Sequence, residues 1–310
     1  MSRVTTIDCE YVFPQFAAAY LIEDATEAAF IDNNTLHAVP RLLAALKARG
    51  LTPAQVRYII VTHVHLDHAS GTAELLRHCP QATILAHPRA APHLIDPAKL
   101  VASARQVYGA AIFDKLYGAI LPIDAKRVRP LDDGARVALG NRELRFLHTR
   151  GHANHHFCIQ DGDTIFTGDA FGLRYPALQK HGLFVLPSTS PTDFDAALAV
   201  ASIERIAASG ATHAYPTHFG EVTDLARVAQ ELTHHLDFSG ALLERALVSS
   251  STDAELDAFC LTEIQAHMER YTRERKLPWA TAERELLKFD LQLNAQGIAF
   301  VARKRRHAAA

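Results

Sequence analysis

The stretch VTHVHLDHASG (residues 61–71) sets three histidines and an aspartate, His63, His65, Asp67 and His68, within six residues, directly behind the apolar run VRYIIVT (residues 56–62). A β-branched apolar run of that length reads as a buried strand. Polar residues collect in the turns that follow strands, but a turn by itself does not call for four donors in a row. Neutral imidazole nitrogen and carboxylate oxygen are the atoms that borderline divalent metals such as Zn2+ bind. The spacing therefore points to a metal-binding loop at the C-terminal end of a strand, where open α/β sheets place their ligands.

Outward from that loop, the chain alternates in kind. Residues 4–31 hold three β-rich segments, VTTIDCEYV, FAAAYLIE and EAAFID, which read as a meander. Residues 36–48 have helical spacing, 72–77 read as helix, and TILAH (residues 83–87) as a further strand. Residues 88–130 carry helical pieces near 98–107 and 110–117 and read as an insertion near the site. From residue 135, RVALG, RELRFLHT, HFCIQ and DTIFTG are four short strands punctuated by Gly140-Asn141, Gly151 and Asp161-Gly162. Residues 191–208 form an amphipathic helix with Thr192 or Asp193 as its cap, and THAYPTH is a last short strand. Beyond Gly220, leucines at i, i+3/i+4 spacing and segments near 253–275 and 280–293 predict a helical region, packed on the β/α part or on a second subunit, so that a homodimer is one alternative. The domains expected are residues 1–221, with the insertion 88–130, and a helical region of residues 222–310.

Composition narrows the class. With 48% hydrophobic and 21% charged residues, the 310-residue chain is an ordinary globular one. A net charge of −2 and a pI near 6.8 give no basic footprint for nucleic acid. The one basic cluster, ARKRRH (residues 302–307), reads as a solvated end. No apolar run approaches a membrane span, and the N-terminus lacks the h-region of a signal peptide, so a cytoplasmic location is expected. Cys9, Cys79, Cys158 and Cys260 are scattered and read as reduced core residues. Histidine stands out: there are 18, more than the 15 glycines or 14 prolines.

A metal site needs donors from more than one loop, and other strand ends supply them: His152 in LHTRGHANHH, Asp169 in IFTGDAFG and His218 in AYPTHFG. His63-x-His65-x-Asp67-His68 followed by His152, Asp169 and His218 resembles the metallo-β-lactamase superfamily over about residues 5 to 220. HLIDPAKLVASARQVYGAAIFDKLYGAILP with TRGHANHHF is similar to a prokaryotic, glyoxalase II-like branch of it. The resemblance implies an α/β, more fully a four-layer αβ/βα, sandwich with a C-terminal helical extension. It implies two Zn2+, with Fe2+ or Mn2+ as alternatives: His63, His65 and His152 on one, Asp67, His68 and His218 on the other, and Asp169 bridging. Asp32 matches an aspartate that braces the histidine loop in that family, although Asn33 and Asn34 replace the usual residues after it, and Arg150 stands where a proline is usual.

Such a pair of ions lowers the pKa of a shared water from about 15.7 towards 7, so that a metal-bridging hydroxide serves as nucleophile without a dedicated base. Hydrolysis of a small thioester, ester or lactone is the expected reaction, with Asp67 and Asp169 as the carboxylates at its centre and no nucleic-acid or membrane partner. Alternatives are a mononuclear-iron, persulfide dioxygenase-like oxygenase, which would use His63, His152 and Asp169, and a phosphodiesterase or nuclease of the same fold. Arg174 and Tyr175, close behind Asp169, are candidates to grip a substrate carboxylate and an oxyanion; Tyr108, Tyr117 and Arg105 in the insertion are weaker ones. His155 and His156 read as hydrogen-bonding neighbours of the ligands, and His87, His93, His148 and His181 as ordinary loop or core histidines.

Overall fold

The computed structural model describes residues 4–24, 26–189 and 192–309, with the side chains of Val107, Tyr108 and Ala309 outside the description. The chain forms two compact units. One runs to His148 and takes in His155–Gly168 and Ala208–Asp224; the other comprises Thr149–Asn154, Asp169–Ala207 and the chain from Leu225 onward.

Both sheets belong to the first unit. One has six strands in chain order, β1 (Val4–Asp8), β2 (Ala18–Asp24), β3 (Glu27–Ile31), β4 (Val56–Val61), β5 (Thr83–Ala86) and β6 (Val128–Pro130). The β1-β2-β3 meander is antiparallel, and β3 to β6 run parallel. The other sheet has the order β11-β10-β9-β8-β7, built from β7 (Arg136–Leu139), β8 (Arg142–His148), β9 (Phe157–Asp161), β10 (Thr164–Gly168) and β11 (His213–Pro216); only the β10–β11 pair is parallel. Alternate side chains of the two sheets meet in one core: Tyr20, Ile22, Ile31, Ile60 and Leu85 from the first, Leu144, Phe146, Phe157, Ile159 and Phe166 from the second. β4 ends in YIIV with every residue buried, as a strand covered on both faces requires.

Helix α1 (Val39–Ala48) lies against β1 and β2. The histidine loop runs into α2 (Leu66–Ala69) and α3 (Thr72–His78). The expected insertion folds as α4 (Ala91–Ile95), α5 (Ala98–Tyr108) and α6 (Ala110–Tyr117), and its last residues supply β6, which was not foreseen because three residues ending in proline carry no strand period. A mixed α/β fold with two facing sheets and a helical C-terminal region is the architecture expected from the sequence. No helix among the described residues is long and apolar enough to cross a membrane, and all four cysteines are buried thiols outside any disulfide.

The second unit contains α7 (Ala196–Ala207), α8 (Leu225–Val248), α9 (Leu256–Arg275) and α10 (Thr281–Ala309). Two expectations are corrected here. Helix α7 starts at Ala196, capped by the Asp195 carboxylate accepting from the Leu198 amide (3.0 Å), while Asp193 accepts from the Asn154 amide (3.0 Å) instead. The basic segment is not a free end: α10 continues through it, with Lys304, Arg305 and His307 exposed but Arg303 and Arg306 half-buried. Arg306 donates to the carbonyls of Leu247 (3.3 Å) and Ala246 in the last turn of α8 and to those of Ser249 (3.0 Å) and Ser251 (2.7 Å) just beyond it, and His307 meets Asp253 (2.7 Å). A helix end leaves carbonyls that favour a cation, and the guanidinium fills that need with five donors.

Between α8 and α9 lies a buried polar network. His235 Nδ1 and His267 Nε2 are 2.9 Å apart, and the Glu231 carboxylate accepts from Tyr271 (3.0 Å) and Arg275 (2.6 Å). Burial, then the neighbouring His267, holds His235 well below the ordinary histidine value; burial, then His234 and Arg270, lowers His267 to about 4. Both rings are thus neutral in the folded protein while the unfolded chain titrates near 6.5. Stability should fall as pH drops from about 6.5 toward 4, because only the unfolded chain gains protons there. Thermal denaturation at stepped pH reads that limb, and the double change His235→Leu with His267→Met should flatten it. Separately, Arg306→Ala should cost about 2 kcal/mol, seen as a lower Tm; an unchanged Tm would mean that the cap carries no load.

Candidate metal centre

The donors foreseen from the sequence come together in two groups. His63, His65, His152 and Asp169 each offer an atom, all within 4.8 Å of one another, and Asp67, His68 and His218 meet the same limit. His63 and His68 are fully buried, and His152, Asp169 and His218 nearly so.

What orients the rings is the atom that each Nδ1 meets. His218 Nδ1 lies 2.8 Å from the Phe16 carbonyl and His152 Nδ1 3.0 Å from the Ser188 carbonyl. A carbonyl only accepts, so each Nδ1 carries the proton and each Nε2 the lone pair. His68 Nδ1 is 2.8 Å from Asp32 Oδ2, with the same consequence. His63 Nδ1 faces the Thr62 hydroxyl at 3.1 Å; that hydroxyl already donates to Asp32 (2.9 Å), so its oxygen accepts from His63. Four histidines from four places in the chain are therefore held in one tautomer, the form in which Nε2 ligates a metal.

The distances fit the same chemistry. Asp67 Oδ2 is 3.4 Å from His218 Nε2 and 3.7 Å from His68 Nε2, and Asp169 Oδ2 is 3.4 Å from His152 Nε2. Hydrogen bonds of this type lie at about 2.7–3.2 Å, whereas two ligands about 2.1 Å from a tetrahedral ion stand about 3.4 Å apart. The donor set and its spacing suit a divalent ion.

Asp32 is the hub of the histidine loop. Wholly buried at the end of β3, it accepts from the Thr62 amide (2.8 Å), from the hydroxyls of Thr62 and Thr217 (both 2.9 Å) and from His68. The two threonines precede His63 and His218, so one carboxylate fixes both strand ends. Asn33 and Asn34, where the family pattern is broken, brace the loop in their own way: Asn33 Nδ2 donates to Thr72 (2.8 Å), Asn34 Nδ2 to the Asp67 carbonyl (2.8 Å). Asp32 and Asn34 both take left-handed backbone (φ 54° and 56°), which short polar side chains tolerate. Gly168 is demanded by close approach: a Cβ there would stand 2.5 Å from His156 Nε2.

The remaining candidates scatter. His156 is buried with its ring 4.9 Å from that of His63, and His155 lies 5.6 Å from His65, both beside the ligands as expected. Tyr175 is not at a mouth: it is 2% exposed and donates to Asp290 (3.1 Å). Arg174 is half-buried, and burial pulls its pKa below the ordinary arginine value. In the insertion, Tyr117 is buried and shares a 2.7 Å hydrogen bond with Tyr11, whose ring packs on Phe16, which meets His218 edge-on (5.2 Å). Arg105 pairs with Asp114 over the Phe113 ring, and the Tyr108 side chain lies outside the described residues. Sequence reasoning missed the carbonyls of Phe16 and Ser188, which no side-chain pattern reveals. It also missed Thr62 and Thr217, for which the repeated Thr-His dipeptide was the available signal.

Two facing sheets with histidine and aspartate donors behind β4, β8, β10 and β11 define an α/β sandwich with a candidate metal site. The chain belongs to the metallo-beta-lactamase superfamily, whose family model matches residues 12–218. A metallo-beta-lactamase fold-containing protein of Sulfurisphaera tokodaii is 30% identical over 138 residues, 43% of this chain and 49% of that protein. The solved structure of an archaeal superfamily protein from Sulfolobus tokodaii superposes with a TM-score of 0.67 at 22% identity, covering 95% of this chain and 97% of that one. A metallo-beta-lactamase family protein from Thermus thermophilus gives 0.66 at 22% identity, covering 99% and 94%. The chain spans about half the length of the curated relatives it matches, and the structural likenesses are likenesses of fold.

Because Asp32 orients His68 and both threonines, Asp32→Ala should weaken metal binding about 10–100-fold, measured by competition with a chromophoric chelator. Unchanged affinity would show that the hub does not hold the donors in place.

Proposed function

We propose that the chain is a dinuclear zinc hydrolase of the glyoxalase II-like kind, acting on a small thioester, ester or lactone. His63, His65 and His152 would hold one ion, Asp67, His68 and His218 the other, and Asp169 would bridge them. The observation that carries this reading is the common tautomer of four histidines, each with Nδ1–H tied to a protein oxygen. Bound ions would supply an acidified water and polarise the oxygen under attack. The chain's own residues do the rest of the positioning: Asp32 holds His68, Thr62 holds His63, and the backbone of Phe16 and Ser188 holds His218 and His152.

The near-neutral charge supports a small-molecule substrate over nucleic acid. In this reading residues 1–221 form the metallo-β-lactamase domain and 222–310 a helical extension. Specificity in such folds resides in loops around the site, and burial of Tyr175 turns attention from it to other groups.

Elemental analysis of purified protein should find two equivalents of zinc, with hydrolysis of a thioester or lactone in a substrate panel. His68→Ala should reduce metal content, and Asp169→Ala should remove both ions or nearly all activity, whereas His155→Ala should cost far less. One equivalent of iron with oxygen uptake on a glutathione persulfide would overturn the hydrolase reading in favour of an oxygenase.

A further inference from the structure

Helix α10 carries one side chain that brackets Ser188. Asn294, 6% exposed, donates from Nδ2 to the Pro187 carbonyl (2.9 Å) and accepts at Oδ1 from the Thr189 amide (2.8 Å); its own backbone carbonyl accepts from the Thr189 hydroxyl (3.1 Å). The amide of Thr189 and the carbonyl of Ser188 belong to one peptide group. That carbonyl is the acceptor of His152 Nδ1–H (3.0 Å).

We propose that Asn294 is a positioning residue for His152, acting through the Ser188–Thr189 peptide; the inference rests on the metal-centre reading above. A trans peptide is planar, with its N–H and C=O pointing in opposite directions. Oxygen on one side and imidazole on the other are therefore linked through a single rigid plane. A hydrogen bond accepted by Asn294 polarises the peptide and strengthens the bond that its carbonyl accepts, the usual cooperativity of hydrogen-bond chains in a dry interior. The second bond, from Nδ2 to the Pro187 carbonyl, ties down the preceding peptide, so that the chain is anchored on both sides of the Ser188 Cα. With its Nδ1–H aimed at a fixed carbonyl, the His152 ring cannot flip, and Nε2 keeps both its lone pair and its direction toward Asp169. A loop without this clamp could hold a histidine in either tautomer, and orienting partners of this kind are worth about 10–100-fold in metal affinity. The helical region thus has a part in the metal centre through one amide side chain, with no ligand of its own.

The test uses the full-length protein loaded with Zn2+ for chelator competition and with Co2+ for NMR, in which the exchangeable Nδ1–H of a ligating imidazole gives a shifted resonance. Asn294→Ala should weaken one of the two ions about 10-fold, leave the other unchanged, and speed solvent exchange of the His152 Nδ1–H. Asn294→Asp keeps an oxygen for the Thr189 amide, with a charge-assisted bond, but loses the Nδ2 donor to Pro187; it should weaken that ion less than Asn294→Ala does and move the His152 resonance. Arg306→Ala, which destabilises the same helical region without touching this loop, should lower Tm and leave both affinities alone.

Wild-type protein that binds no metal would overturn the metal-centre reading and this inference with it. Wild-type protein with two ions, whose affinities persist in Asn294→Ala or fall as much in Arg306→Ala, would overturn the inference alone. Should Asn294→Ala fail to fold, an unmoved His152 resonance in Asn294→Asp overturns it as well.

Discussion

An imidazole ring binds a cation through one nitrogen only when its proton sits on the other, and in water the two tautomers exchange freely. Everything distinctive about this molecule follows from suppressing that exchange four times. His63, His68, His152 and His218 each give Nδ1–H to an oxygen that the fold has already fixed: a threonine hydroxyl, a buried carboxylate and two backbone carbonyls. The acceptors differ in kind but share a requirement. Each must be immobile, because an acceptor that moves leaves the ring free to turn.

Immobility is expensive to arrange for a charged group, since a buried carboxylate is tolerable only with its lone pairs satisfied. Asp32 meets that condition with donors from the ends of β4 and β11 and from α2, so the residue that orients His68 also ties together the elements that carry His63 and His218. The parallel run β3-β4 makes this possible. It brings the C-terminal ends of neighbouring strands side by side, and a left-handed turn at Asp32 then folds its side chain back under the next strand. An antiparallel neighbour would have presented the wrong end. The topology is thus a condition for the hub, and the hub for the ligand geometry.

This division explains what could be read in the sequence. The strands and the ligand histidines are side-chain signals, β-rich runs and donors clustered at strand ends, whereas Asp32 was legible only through the family resemblance. The carbonyls that lock His152 and His218 are peptide groups, which every residue possesses, so nothing in PSTS or QFAA marks Ser188 or Phe16 as acceptors. Tyr175 shows the opposite failure. Its place six residues behind Asp169 suggested a substrate contact, yet a phenol is also an apolar body with one polar tip, and the Asp290 carboxylate from a distant helix satisfies that tip inside the core. The basic tail went astray for the same reason. Arg306 looked solvated because its acceptors, carbonyls in the last turn of α8 and just behind it, lie about sixty residues earlier and have no sequence signature.

Asp290 and Asn294 stand one helical turn apart on α10, an i, i+4 pair that shares a face. One secures Tyr175, the other the peptide behind His152, so a single helix face closes both ends of the segment that follows Asp169. Among its described residues, the connection between β10 and α7 has a 3-10 turn at Pro176–His181 and the bridge between Leu173 and Leu186 as its own regular hydrogen bonds, and connections of this length depend on such outside anchors for order. Buried polar groups projecting from a long helix confer order where a sheet cannot reach. They do so at a cost that an apolar packing face would avoid. The cost is intelligible if the segment must hold an acceptor at a fixed place as well as fill space, because apolar contacts fix position loosely and hydrogen bonds fix direction.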